Sequence, residues 1–362
     1  MKKNIYVTRP ALPSLASFSN RIGALWQSGT LTHGGVFHQQ LAPALAEFLD
    51  VPYVSLFDNC TNALISALSA LDLTGEVITT PYSFIATSHA LLWNQLTPVF
   101  VDIDPVTGNL DPALIEASIT ERTSAILAVH CYGIPCDTTA LAVIAEKHGL
   151  KVVFDAAHAF AVRDPQGSIL MHGDLAALSF HATKVFSTCE GGALISHTAE
   201  MKTKVDKLKN FGIESEEQIN SIGLNGKMSE LHAAFGLSLL PEMPALLQRR
   251  KVIFELYAKE LSALTYITLM QPNADIEWNH AYVPIIVNED SPVSRNHIYD
   301  QLKQQQIFAR KYFYPLITNT APYAGSLGAN TLPNAQRLSN TVLCLPIYPA
   351  LTDADVIGIC NA

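Results

Sequence analysis

The sequence is short of charge. Asp, Glu, Lys and Arg make up 15% of its 362 residues, while hydrophobic residues make up 49%. That balance excludes a disordered or solvating segment, because the chain carries ample apolar surface for a core. Basic residues are scarcest: 23 Lys and Arg against 32 Asp and Glu give a formal net charge of −9. The imbalance argues against nucleic acid or an anionic membrane as the main partner, although a local pocket can still hold a small anion. No apolar run of about 18 residues occurs, so no membrane-spanning helix is expected. Met1-Lys2-Lys3-Asn4-Ile5-Tyr6 lacks the apolar stretch of a secretion signal. The six cysteines, at 60, 131, 136, 189, 344 and 360, form no CxxC pair and no zinc-type spacing. They read as reduced, mostly buried thiols of a cytosolic protein. Repeats and low-complexity tracts are absent too. The length exceeds one compact unit of typical size and predicts a large core plus a smaller domain.

What is present is an alternation. Strand-like runs at 51–57, 76–79, 98–102, 124–130 and 152–155 are separated by helical patterns at 61–71, 86–94, 112–119 and 138–148. In the first helix Leu64, Ala67, Leu68 and Leu71 share one face. Leu175 to Phe180 and Ala193 to Ser196 add two more strands. The pattern predicts an α/β chain with a mostly parallel sheet covered on both faces. Its ligand should lie beyond the carboxyl ends of the strands. A helical stretch broken by Gly212, Gly223 and Gly226 follows, then helices at 229–240 and 245–264 around Pro241 and Pro244. Past residue 265 the spacing changes to a strand at 281–287, a helix at 295–305 and loops. A last helix starts at Asp353.

The residues suited to chemistry fall at the strand ends. Lys184 follows the apolar run ending at Ser179-Phe180 and precedes Gly191-Gly192; Asp155 closes a neighbouring strand. A lysine and an aspartate so placed are what pyridoxal phosphate requires: the lysine holds it as a Schiff base and the acid pairs with its pyridinium nitrogen. Its phosphate needs helix-terminal amides and hydroxyls. The turn Asn59-Cys60-Thr61-Asn62, opening a helix, offers the amides of Thr61 and Asn62 and the Thr61 hydroxyl; Ser179 offers a second hydroxyl. Cys60 sits in that turn as a small side chain. Phe84, in preference to Tyr82, supplies an aromatic for one ring face, and either ring could be core. His158 could bond or stack near the ring oxygen, although a lone histidine is more often structural.

With these residues in place the chain resembles the DegT/StrS family of pyridoxal-phosphate-dependent nucleotide-sugar aminotransferases, from about residue 5 to 350. The marks are Asn59–Leu64, Pro81–Thr87, Phe100–Asp104, Val129–Gly133, Asp155–His158, Ser179–Gly192 and Gly223–Glu230. The resemblance is nearest to enzymes that aminate the C4 ketone of a dTDP-4-keto-6-deoxyhexose. It implies the aspartate aminotransferase (type I) fold, with a seven-stranded, mostly parallel sheet in residues 1–250 and a smaller α+β C-terminal domain in 251–362. It implies a cytoplasmic homodimer with shared active sites, L-glutamate as amino donor, and a place in surface polysaccharide biosynthesis. Asn225, in Gly223-Leu-Asn-Gly-Lys-Met228, would cross to the partner's phosphate. Gly226 and Lys227 stand where many relatives carry an aromatic and an arginine, and Cys60 where many carry glycine. Thr32 and His33, in the loop Thr30–Gly35, together with Lys227, Arg310, Lys311 and Tyr312, would meet the sugar nucleotide.

Three other readings compete. A 3-aminotransferase on a dTDP-3-keto-6-deoxyhexose shares these motifs. A sugar dehydratase of the same family would place histidine where Lys184 stands. A non-catalytic sugar- or cofactor-binding regulator would have lost the lysine, the aspartate or the phosphate turn, and all three are present.

Overall fold

The computed structural model describes residues 4–362; Met1 to Lys3, part of the polar start noted above, lie outside them. Two helices come first, α1 (Leu15–Ser28) and α2 (Val36–Leu49). The alternation then begins with strand β1 (Tyr53–Phe57) and helix α3 (Cys60–Ala70). It continues through β2 (Glu76–Thr79), α4 (Ala86–Trp93), β3 (Thr97–Phe100), β4 (Thr123–Val129), α5 (Thr138–His148), β5 (Lys151–Asp155), β6 (Leu175–Ser179) and β7 (Gly192–Ser196). These strands make one seven-stranded sheet in the order β1-β7-β6-β5-β4-β2-β3. Only β7 runs against its neighbours; the other pairings are parallel.

The period-two alternation of a strand divides its side chains between two cores. Along β4, Ala125 and Leu127 enter one cluster, and Ile126 and Ala128 enter the other. The first cluster takes Ala63, Leu64, Ala67 and Leu68 from α3, which confirms the apolar face of that helix. The second takes Leu41 and Leu45 from α2, Leu141 from α5 and Ala233 from α7 (Glu230–Leu239). Between the sheet and α7 lies α6 (Ala199–Leu208), followed by a short hairpin, Ile213–Ser215 with Gln218–Ile219, where an interrupted helix was expected.

Helix α8 (Met243–Leu261) leads into a three-stranded antiparallel sheet of β8 (Ile267–Leu269), β9 (Val283–Val287) and β10 (Val342–Leu345). Helices α9 (Arg295–Gln304), α10 (Pro333–Thr341) and α11 (Asp353–Cys360) complete this part. Ile5 and Tyr6 pair in parallel with Ile307 and Phe308, so the start of the chain is built into the C-terminal part.

One expected helix is not formed. Residues 112–119 make two 3₁₀ turns, Pro112–Leu114 and Glu116–Ser118. Ile115, fully buried between them, anchors the segment to the core, and so short a stretch gains little from an α-helical nucleus. Among the described residues no helix is long and apolar enough to cross a membrane.

Candidate active site

The carboxyl ends of β1, β5 and β6 and the start of β7 lie along one edge. Gly192 pairs with both Phe57 and Ser179. A Cβ on Gly192 would lie 2.7 Å from the backbone of Asn59 and Cys60, so glycine lets β7 reach the turn before α3. Beyond that edge opens a cavity of about 440 Å³. Its walls carry Cys60, Thr61, Phe84, Asp155, His158, Ser179, Lys184, Arg310 and Tyr312, nine of the side chains expected at the site from sequence.

Asp155 ends β5 and is 5% exposed. Its Oδ2 accepts a hydrogen bond from Thr87 Oγ1 at 2.7 Å, and its Oδ1 accepts one from the Ala157 N–H at 3.1 Å. Thr87 Oγ1 also meets Ser83 Oγ at 2.7 Å, and since its own proton goes to the carboxylate it accepts from the serine. Burial raises the Asp155 carboxyl above its usual range, opposed by those two hydrogen bonds and by Lys184. Such a carboxylate is ready for a cationic partner.

Lys184 sits in the turn after β6, its N–H bonded to the His181 carbonyl at 2.9 Å. Gly191 closes that turn, because a Cβ there would lie 2.0 Å from Thr188 Oγ1. The ammonium makes no ion pair among the described residues. Burial holds its pKa below the usual lysine range, against the pull of Cys60 and Asp155. The Cys60 thiol is pushed well up by burial and by Asp155, so it is a neutral wall and no thiolate nucleophile.

His158 is buried and accepts the Tyr132 N–H at Nδ1, 3.1 Å away. That bond places its proton on Nε2, which lies 3.2 Å from the Tyr282 hydroxyl. Burial and Lys184 lower its pKa well below the usual value, so the ring is neutral. Asn279 holds the loop from the other side, donating to the carbonyls of His158 and Phe160 at 2.8 Å.

At the start of α3, Asn59 Oδ1 accepts the Asn62 N–H at 2.8 Å. Asn62 Nδ2 is held by both oxygens of Asp58 at 2.9 Å. The Asn62 amide is thus taken by the helix cap and is withdrawn from the anion role expected of it. The N–H groups of Cys60 and Thr61 have no acceptor among the described residues and lie free at the positive end of the helix. Phe84 is 63% exposed at the cavity wall, whereas Tyr82 is fully buried and bonded to Tyr132 and the Tyr312 carbonyl. The structure therefore separates the two aromatics: Tyr82 is core and Phe84 is free to cover a ring.

The remaining expected residues lie elsewhere. Asn225 is exposed in a segment that runs beside the turn before α3, where the Asp58 N–H bonds the Gly226 carbonyl at 2.9 Å. Lys227 Nζ donates to Asn210 at 3.0 Å and lies over the Phe211 ring. The Thr32 carbonyl accepts the N–H of Glu230 at the start of α7, and burial, together with Lys227 and Lys209, holds the His33 pKa below its usual value. Lys311 lines an adjoining groove of about 410 Å³ and donates to Asn296 at 2.6 Å. Sequence reading assigned no role to Thr87, Ser83, Tyr282 or Asn279. The four-residue spacing of Ser83 and Thr87 at a helix start was the available signal for the first two.

The donor set fits pyridoxal phosphate: a buried carboxylate, an amine of lowered pKa, two amides at a helix N-terminus, the Ser179 hydroxyl at a strand end, and an uncovered aromatic. The fold and this site define a pyridoxal-phosphate-dependent aminotransferase. Residues 15–362 match the DegT/DnrJ/EryC1/StrS aminotransferase family, and the chain belongs to it. It is 51% identical to a dTDP-4-amino-4,6-dideoxy-D-glucose transaminase of Shigella dysenteriae over 97% of this chain and 96% of that one. It is 46% identical to a transaminase of the same name from Escherichia coli, over 99% and 97%. Among solved structures it superposes on DesI, determined in the presence of its TDP-sugar product, with a TM-score of 0.95 and 34% identity, covering 100% of this chain and 92% of that one. Pyridoxal 5'-phosphate is its cofactor.

Thr87 offers a direct check on how Asp155 is held. Thr87→Val keeps the shape and removes a hydrogen bond to a charged group, a loss of about 1.5–3 kcal/mol. Cofactor affinity should fall by about tenfold or more, because the ionised form of Asp155 loses its main support. Equilibrium titration of cofactor-free protein measures this, and unchanged affinity would detach Thr87 from the site.

Proposed function

We propose that the protein transfers the amino group of L-glutamate to the C4 ketone of dTDP-4-keto-6-deoxy-D-glucose, giving dTDP-4-amino-4,6-dideoxy-D-glucose. One observation carries the reading: the cavity with Lys184 and Asp155 stands in a chain alike, over nearly its whole length, to two transaminases of that name. Pyridoxal phosphate, when bound, supplies an electron sink and carries the amino group between the two substrates. Lys184 holds the cofactor and then serves as the base. Its neutral amine takes the α-proton of the donor and so becomes the ammonium; in the second half-reaction the ammonium form delivers a proton to the sugar carbon and the amine is neutral again. Donor and sugar would be handled in turn by this one amine, with the donor's keto product leaving before the sugar binds, so ping-pong kinetics follow.

Asp155 binds the ring nitrogen, oriented by Thr87 and the Ala157 amide. Cys60, Thr61 and Ser179 hold the phosphate, Phe84 covers a ring face, and neutral His158 donates beside it. Arg310, Lys311 and Tyr312 meet the sugar nucleotide. In a cytoplasmic homodimer, Asn225 of the partner subunit reaches the phosphate, while Thr32, His33 and Lys227 complete the sugar-nucleotide contacts. We read residues 1–250 as a large domain and 251–362 as a small one, a reading supported by the cavity's drawing its walls from both stretches. The product serves a surface polysaccharide.

The test is product analysis. Incubation with dTDP-4-keto-6-deoxyglucose and glutamate should yield an amine at C4, equatorial as in glucose, when the isolated sugar is read by NMR. An amine at C3 from the 3-keto isomer, with none from the 4-keto sugar, would replace this reading by the C3 activity.

A further inference from the structure

Helix α2 begins without a cap of its own. Its N-cap residue is Gly35, which has no side chain to receive the first amides. They are received from another helix. Glu230, the first residue of α7, is 1% exposed, and its Oε2 accepts the Phe37 N–H at 2.9 Å while its Oε1 accepts the His38 N–H at 2.8 Å. These are the two amides that an N-cap side chain would take, and the carboxylate lies at the positive end of the helix. The same residue's own N–H bonds the carbonyls of Leu31 at 3.2 Å and Thr32 at 2.8 Å. The fit is tight: a Cβ on Gly35 would lie 2.6 Å from Glu230 Cδ. One residue therefore grips both ends of the 31–38 stretch. It does so five residues after Asn225 and three after Lys227.

We propose that Glu230 is a positioning residue, which clips the loop carrying Thr32 and His33 to the segment carrying Asn225 and Lys227. A local cap would stabilise α2 equally well, but of these contacts only the residue-230 N–H would still tie the loop to the segment. The inference rests on the reading above that Thr32 and His33 face the sugar nucleotide. It assigns Glu230 to recognition of that substrate and not to proton transfer.

Two substitutions separate a clip from a cap. Glu230→Ala removes the cap and the side-chain half of the clip, leaving the residue-230 N–H to hold the Leu31 and Thr32 carbonyls unaided. Gly35→Asp alone drives a side chain into Glu230 and lowers stability. Combined with Glu230→Ala it has room, its backbone is extended at φ −79°, and its carboxylate can cap α2 locally. In Glu230→Ala the KM for the sugar nucleotide should rise about tenfold while kcat stays within about twofold. In the double variant the Tm and the slow amide exchange of Phe37 and His38 should return, while the raised KM and fast exchange of the residue-230 amide persist. Return of KM together with Tm would reduce Glu230 to a cap and overturn the proposal, as would an unchanged KM in Glu230→Ala. Should the wild-type protein aminate no dTDP-keto sugar, the proposed function fails. Exchange of the residue-230 amide still decides the clip: fast in both variants supports it, and wild-type exchange in either overturns it.

Discussion

Lys184→Ala should leave a folded protein whose turnover is lower by at least about 10⁴-fold, an increase in barrier of about 5.5 kcal/mol. The size of the effect follows from the two tasks that meet at one atom. Nζ both anchors the cofactor and moves the proton in each half-reaction, and no other amine among the described residues lines the cavity. Stability should change little, because the ammonium makes no ion pair among the described residues and burial disfavours its charge. The thermal transition of the variant measures that separately. A small primary amine added to the variant should restore part of the rate. The direction of the lysine shift adds a pH signature. Burial lowers the pKa, so the neutral, basic form persists to a lower pH than for an ordinary lysine. The acid limb of the wild-type rate profile should therefore fall below the usual ammonium range. Turnover by Lys184→Ala within tenfold of wild type would refute the assignment.

Much of this site could be read from sequence because strand ends announce themselves. Asp155 and Ser179 each close an apolar run, and parallel strands deliver such residues to one edge. The Lys184 turn was marked by the glycine pair after it. What escaped was set by contacts distant in sequence. Thr87 reaches Asp155 across 68 positions, Asn279 reaches His158 across 121, and Glu230 caps α2 across 193. No local pattern predicts a partner so far away. The Asn62 amide was misplaced for a local reason instead: an asparagine three residues earlier is a good cap, and it consumed the donor. Helices α1 and α2 carry few sequence cues. Leu25 alone is buried in α1, and α2 contains Pro43, a residue that ordinarily ends a helix. Strand β10 is four residues long and declares itself only by pairing with β9.

Asp155→Asn should separate catalysis from folding more sharply than any other change at the site. The amide keeps the volume: its oxygen can accept the Ala157 N–H while its Nδ2 donates to Thr87 Oγ1, whose own proton turns to Ser83, so the fold is preserved. The negative charge is lost. Removing one partner of a buried ion pair typically costs about 3–5 kcal/mol, so kcat should fall by about 10² to 10⁴-fold and cofactor affinity should weaken with it. Cofactor-free protein should respond in the opposite sense. Burial raises the folded-state pKa of Asp155 above its unfolded value of 3.8, so the folded protein holds the extra proton between the two. Stability from this group is then lost as pH rises from 3.8 through the raised value, and the ionised carboxylate is a net burden above it. The asparagine carries no such burden. The cofactor-free variant should melt no lower than wild type at neutral pH and should lack that part of the pH dependence. Paired calorimetry of the two cofactor-free proteins, alongside their steady-state kinetics, reads both signs at once. A variant that retains wild-type kcat would show that the ring nitrogen needs no anion here. One that melts lower in the cofactor-free form would show that the carboxylate supports the fold.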